Sequence, residues 1–139
     1  MREPGMGDLD DFLARWSEDA PGPRAAFLRL RDFLSGLAGI RFAYRGRPGV
    51  SHSLRAAREG QNGRPLFCII DVIDDDPAAR WISACMYADL ANDPAGLATP
   101  VPGGILGEDA LCFDIDALDP DLLGYVQERL AEAHAAAAP

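Results

Sequence analysis

The sequence predicts an α+β domain: about five antiparallel strands, with two N-terminal helices and one C-terminal helix packed on one face of the sheet. Three observations predict it. Before residue 40 the apolar side chains recur every three or four residues, as on one face of a helix. From Ile40 they alternate with polar ones, as along a half-buried strand. From Asp119 the helical spacing returns.

The first helix is expected from Asp8 to about Glu18, because Leu9, Phe12, Leu13 and Trp16 fall on one face and Asp8 is a good cap. Pro21-Gly-Pro23 breaks it, and a second helix opens at Pro23, whose fixed φ suits a first helical position. Its face carries Phe27, Leu30, Leu34 and Leu37, and Gly36 and Gly39 end it. Ile40, Phe42 and Tyr44 then alternate with Arg41, Ala43 and Arg45 in the first strand. After a turn at 46–49, Val50 to about Glu59 forms its hairpin partner, closed by the turn signal Gly60-Gln-Asn-Gly63. Pro65–Ile73 is the most apolar segment and is placed centrally in the sheet. Trp81–Ala88 and Ala110–Ile115 supply the fourth and fifth strands. Asp119 caps the last helix, with Pro120 at its first position and Leu122, Leu123, Val126, Leu130 and Ala133 on its buried stripe.

A chain of 139 residues, 48% apolar and 25% charged, has the length and composition of a single globular domain. Residues 1–7 and the alanine-rich 135–139 are expected to fray. The segment 89–108 has no predicted element, which makes it a candidate edge cover, lid or subunit contact.

Composition excludes several classes. No run reaches the roughly 18 to 20 apolar residues of a membrane span, and the start of the chain lacks a secretory leader's apolar run, so the reading is cytoplasmic. Cys68, Cys85 and Cys112 are an odd number with no Cys-x-x-Cys pair, so no disulfide is expected. All 13 basic residues are arginine, which removes lysine Schiff-base chemistry and the phosphate-loop lysine. With only two histidines, a three-histidine metal site is excluded.

The net charge of −9 is unevenly spread: residues 1–64 sum to +3 and residues 65–139 to −12. An acidic protein is repelled by nucleic acid and by anionic membrane, and neither is an expected partner.

Candidate sites follow from that layout. Asp71, Asp74, Asp75, Asp76, Asp114 and Asp116 are candidate ligands for a hard divalent cation, which wants convergent carboxylate oxygens. The competing explanations are turn chemistry before Pro77 and outward alternation on a strand. Arg41, Arg45 and Arg55, with Arg47 and Arg58 nearby, could hold a carboxylate or phosphate. His52 lies between Ser51 and Ser53, but no Gly-x-Ser-x-Gly elbow is present, and a satisfied strand histidine competes with a base in a serine or cysteine site. Trp81, Ser83, Cys85 and Tyr87 share one strand side, which suits a pocket floor or a subunit interface. A homodimer would let the arginine-rich hairpin of one copy meet the acidic strands of another.

The order of elements over residues 24–134, with a meander beginning Phe42-Ala-Tyr-Arg-Gly-Arg-Pro48, resembles the small bacterial YdhG-like domains. Some of these are regarded as frataxin-like iron chaperones, so the resemblance implies carboxylates presented to iron. Pro48-Gly-Val-Ser-His52 departs from the phenylalanine-containing stretch expected there, the 89–108 segment is an addition, and no iron-binding position carries over. The leading expectation is a non-catalytic binding or self-associating protein with no cofactor and an unidentified small-molecule ligand. The alternative is an iron- or divalent-metal-binding protein; a small hydrolase or thiol enzyme is the third.

Overall fold

A computed structural model describes residues 5–18 and 20–139. Helices α1 (Met6–Arg15) and α2 (Pro23–Ser35) precede strands β1 (Ile40–Arg47), β2 (Ser51–Arg58), β3 (Cys68–Ile73), β4 (Trp81–Tyr87), β5 (Thr99–Ile105) and β6 (Glu108–Ile115), and α3 (Pro120–Ala136) closes the chain. The fold is α+β. The sheet is antiparallel and has six strands in the order β1-β2-β3-β4-β6-β5.

The sixth strand corrects the expectation of about five. β5 lies within the segment read as unstructured because it contains Pro100, Pro102, Gly103 and Gly104, none of which a central strand favours. At the sheet edge these residues lose no ladder partner on their open side, and the register shifts between Val101 and Ile105. Leu106 and Gly107, at φ 50° and 85°, make the two-residue reversal into β6. The rest of the segment is anchored too. Asp93 accepts the backbone N–H groups of Leu97 and Ala98 and the hydroxyl of Tyr125 on α3.

Alternation puts the even-numbered residues of β1 to β4 on the face that meets the helices. There Leu54, Ala56, Ile70, Val72, Ile82, Ala84 and Met86 pack with Leu9, Phe12, Phe27, Leu30, Leu34, Phe113, Leu123, Val126 and Leu130 in the main core. Burying a leucine or phenylalanine of this kind contributes about 1.5–3 kcal/mol. A second, smaller cluster forms on the outer face, where Leu66, Ile69, Tyr87, Ile105, Ala110 and Cys112 are buried together.

Local signals place the helix ends. At α3, the Asp119 side chain accepts the N–H groups of Asp121 and Leu122, as expected of a cap. At α1 the expected cap is corrected: the helix begins two residues earlier, and Asp8 is its third residue, accepting the Gly5 N–H at 2.9 Å. α3 runs to Ala136, and Ala137 packs into the core. Of the N-terminal residues expected to fray, 1–4 lie outside the described residues and Met6 is helical.

The absence of a disulfide is the remaining correction. Cys85 and Cys112 are direct partners in the β4–β6 register and are joined by a disulfide across the outer face, with Cα atoms 4.2 Å apart. Both occupy outward-facing strand positions; what spacing does not reveal is that β4 neighbours β6 rather than β5. Cys68 is a buried free thiol, and burial drives its pKa well above the ordinary value.

Candidate functional site

The outer face of the sheet is divided. Toward Tyr87 it is covered by the second cluster. Toward the opposite end of the same strands it is left free of helices, and here the register assembles a line of polar side chains. Arg45 stands opposite Ser53, Ser53 opposite Asp71, Asp71 opposite Ser83, and Ser83 opposite Asp114. One end of this line is basic and the other acidic.

At the basic end a groove of about 840 Å³ is lined by Arg45, Arg47, Arg55, Ser51, Ser53 and Asp71, among others. Among the described residues, Arg41, Arg45, Arg47 and Arg55 make no salt bridge; Arg55 Nε reaches only the Ser53 hydroxyl, at 3.4 Å. Asp71, in the middle of β3 rather than at its end, lies on the groove floor, and its Oδ1 is buried without a hydrogen-bond partner. Burial pushes the Asp71 carboxyl above its ordinary range; Ser53, Arg55 and Arg47 favour the ionised form but do not outweigh desolvation.

His52 lies on the other side of the sheet from these arginines. Its ring stacks on Phe12 with centroids 3.5 Å apart, and both ring nitrogens are used: Tyr44 Oη is 2.7 Å from Nδ1 and Asp74 Oδ2 is 2.9 Å from Nε2. Asp74 also takes a 2.6 Å bond from Arg80 Nε, whose guanidinium lies over the rings of Phe12 and Trp16. Burial acts to raise the Asp74 pKa, but the hydrogen bonds from Arg80 and His52 prevail and hold it below its ordinary value. The ionised Asp74 can only accept, so Nε2 carries the proton; in the neutral ring Nδ1 is then the acceptor and Tyr44 the donor. Burial, reinforced by Asp8 and Asp74, raises the Tyr44 phenol. Ser51 and Ser53 alternate onto the outer face, and His52 pairs with Gly46 and Val72 rather than with a cysteine. This is the geometry of a satisfied core histidine, with neither serine nor cysteine among its hydrogen-bond partners.

The remaining sequence-predicted residues are dispersed. Tyr87 is buried beneath Arg64, which lies 3.9 Å over its ring and pairs with Asp89 and Glu108. Arg58 turns to the helix side, donating to the His134 carbonyl. Asp71 and Asp114 are two strand spacings apart, about 10 Å, on the outer face, whereas Asp74 is committed to His52 and Arg80. Asp75, Asp76 and Asp116 are exposed, and Asp76 caps a turn at Ala78. Among the described residues no three carboxylate, histidine or cysteine side chains converge as a cation would need. Among the same residues, no helix is long and apolar enough to cross a membrane.

The sequence reading reached Arg45, Arg55 and Asp71 as separate candidates but not their convergence, which depends on register. It missed Tyr44 and Arg80 as partners of the His52–Asp74 pair. The only sequence signal for Tyr44 is Gly46, two residues on, which leaves room for its ring. Comparison of the chain with protein-family models, with curated proteins and with solved structures finds no match in any of the three.

Proposed function

We propose that the protein is a non-catalytic binding protein that takes a small acid, a carboxylate or phosphate carrying a neighbouring amine or hydroxyl, in the groove of Arg45, Arg47 and Arg55. The observation that carries this reading is that guanidiniums making no salt bridge among the described residues share the groove with the unpartnered Asp71 Oδ1. A guanidinium grips an oxyanion through two parallel N–H bonds. A buried acceptor left unsatisfied costs about 1–3 kcal/mol, which a ligand's N–H or O–H would recover. The groove also falls within the roughly 300–1,000 Å³ usual for small-molecule sites.

Calorimetric titration with O-phospho-L-serine, which has both features, and with inorganic phosphate, which lacks the amine, tests the proposal. Phosphoserine is expected to bind at least ten-fold more tightly than phosphate. Asp71→Asn is expected to narrow that gap, and Arg47→Gln with Arg55→Gln to abolish both heats. No saturable heat with phosphoserine, or undiminished binding by the double arginine variant, overturns it.

A further inference from the structure

The two edges of the sheet are unlike. β5 is poorly suited to receive another strand, because Pro100 and Pro102 lack an N–H and its register is broken between Val101 and Ile105. β1 is a regular strand of eight residues without proline. Glu59 donates its N–H to the Gly39 carbonyl, which makes Gly39 and Glu59 a hydrogen-bonded pair at the start of the β1–β2 ladder. By alternation Arg41, Ala43 and Arg45 spend their N–H and C=O groups on β2, and those of Phe42 and Tyr44 point to the open edge. Among the described residues, nothing hydrogen-bonds to the Phe42 or Tyr44 backbone from that side. There is room beside them too: the groove of about 840 Å³ extends to this edge, where Phe42 through Arg47 all line it.

The side chains along the edge sort by face. On the outer face Arg41 and Arg45 are exposed and make no salt bridge among the described residues. On the helix side Phe42 and Met6 are half-buried against the core, and Asp8 and Asp11 stand near Tyr44. From the unpaired edge and this division of charge we infer that β1 is a docking edge for an extended acidic segment of another protein, which adds antiparallel as a seventh strand. Its carboxylates meet Arg41 and Arg45. The residues between them, opposite Phe42 and Tyr44, are apolar, since Asp8 and Asp11 repel acids on that side. Main-chain hydrogen bonds supply the affinity of such a mode and alternate side chains its specificity. A second copy of this chain fits poorly: two β1 strands paired antiparallel about Ala43 set each Arg41 opposite an Arg45, and like charges directly opposite destabilise a ladder. Neither Asp71 nor Arg55 is used, so the inference does not depend on the acid-binding reading of the groove.

The probe is acetyl-Glu-Val-Glu-Val-Glu-amide, whose valines fall opposite Phe42 and Tyr44 and whose outer glutamates fall opposite Arg41 and Arg45. One analogue is N-methylated at both valines, whose N–H groups face β1, and another at the central glutamate, whose N–H faces away. Residue-resolved hydrogen exchange is the measurement. In the free protein the Phe42 and Tyr44 amides are expected to exchange faster than those of Arg41, Ala43 and Arg45. The peptide and its glutamate-methylated analogue are expected to slow both at least ten-fold, and the valine-methylated analogue to leave them unchanged. Arg41→Gln with Arg45→Gln is expected to weaken binding at least ten-fold, in a variant whose unchanged melting temperature shows it folded; Asp71→Asn is expected to leave binding intact. No slowing at Phe42 and Tyr44, equal slowing by the valine-methylated analogue, or undiminished binding by the double arginine variant overturns the inference. So does loss of binding in Asp71→Asn, which would seat the peptide in the acid groove, or protection of both amides in a self-associated free protein.

Discussion

Tyr44 reaches His52 by lying across Gly46. The phenolic oxygen sits 2.7 Å from Nδ1 of a histidine that is the direct register partner of Gly46, and a Cβ at Gly46 would overlap the Tyr44 hydroxyl and ring. Gly46 is thus required for room, since its φ is not among the positive ones. Gly46→Ala is expected to cost about 1–3 kcal/mol of stability, the usual range for an overpacked core. Tyr44→Phe, which leaves Nδ1 without its donor, is expected to cost about 1–3 kcal/mol. Chemical denaturation of the two variants and of their combination measures both, and their costs are expected to be non-additive because they share one contact.

The two buried carboxyls are expected to respond to acid in opposite senses. Asp74 has its pKa lowered on folding, so its ion pairs contribute stability above the unfolded-state value of about 3.8, and that contribution fades as pH falls through the folded-state value. Asp71 has its pKa raised, so it favours the folded state most below about 3.8, and the benefit disappears as pH rises through its folded-state value. At pH 7, Asp74→Asn is therefore expected to destabilise, and Asp71→Asn to be neutral or stabilising. The Asp74→Asn difference should shrink as pH falls below about 3.8, whereas the Asp71→Asn difference should shrink as pH falls from 7 toward 3.8. Unfolding free energies measured from pH 3 to 7 give the comparison.

The Cys85–Cys112 disulfide links residues 27 apart in sequence. On the chain-entropy model a loop of that size is worth about 3.5 kcal/mol, so Cys112→Ser, or reduction of the parent, is expected to lower stability by about 2–4 kcal/mol. Alkylation of unfolded, unreduced protein followed by mass measurement is expected to modify Cys68 alone.

Tyr125→Phe removes the hydroxyl that joins α3 to Asp93 and that accepts the Ala95 N–H at 3.1 Å. Hydrogen exchange is expected to accelerate at Ala95, Leu97 and Ala98 while the β3 and β4 amides keep their protection.

The change of period at Ile40 made the helices and most strands legible, because alternation and helical spacing are local. Strand adjacency is not local. The pairing of Cys85 with Cys112 depends on β6 inserting between β4 and β5, and the alignment of Arg45, Ser53 and Asp71 on the register of β1, β2 and β3, neither of which spacing in the chain announces. β5 was obscured for a related reason: Pro100 and Pro102 count against a strand except at an edge, and position in the sheet is a tertiary fact. His52 could be read as a candidate, but its meaning came from Asp74, 22 residues away, and from Arg80.

The sheet order also constrains how the molecule assembles. β5 and β6 form a hairpin that can pair locally, but it joins the sheet only where β6 docks on β4, so the chain must close a long excursion before either strand is seated. β5 pairs with β6 alone, so it can leave that edge while the β4–β6 ladder stays paired. Ile105, which β5 contributes to the second cluster, would go with it, baring Tyr87 and Ile69 while the main core stayed shut.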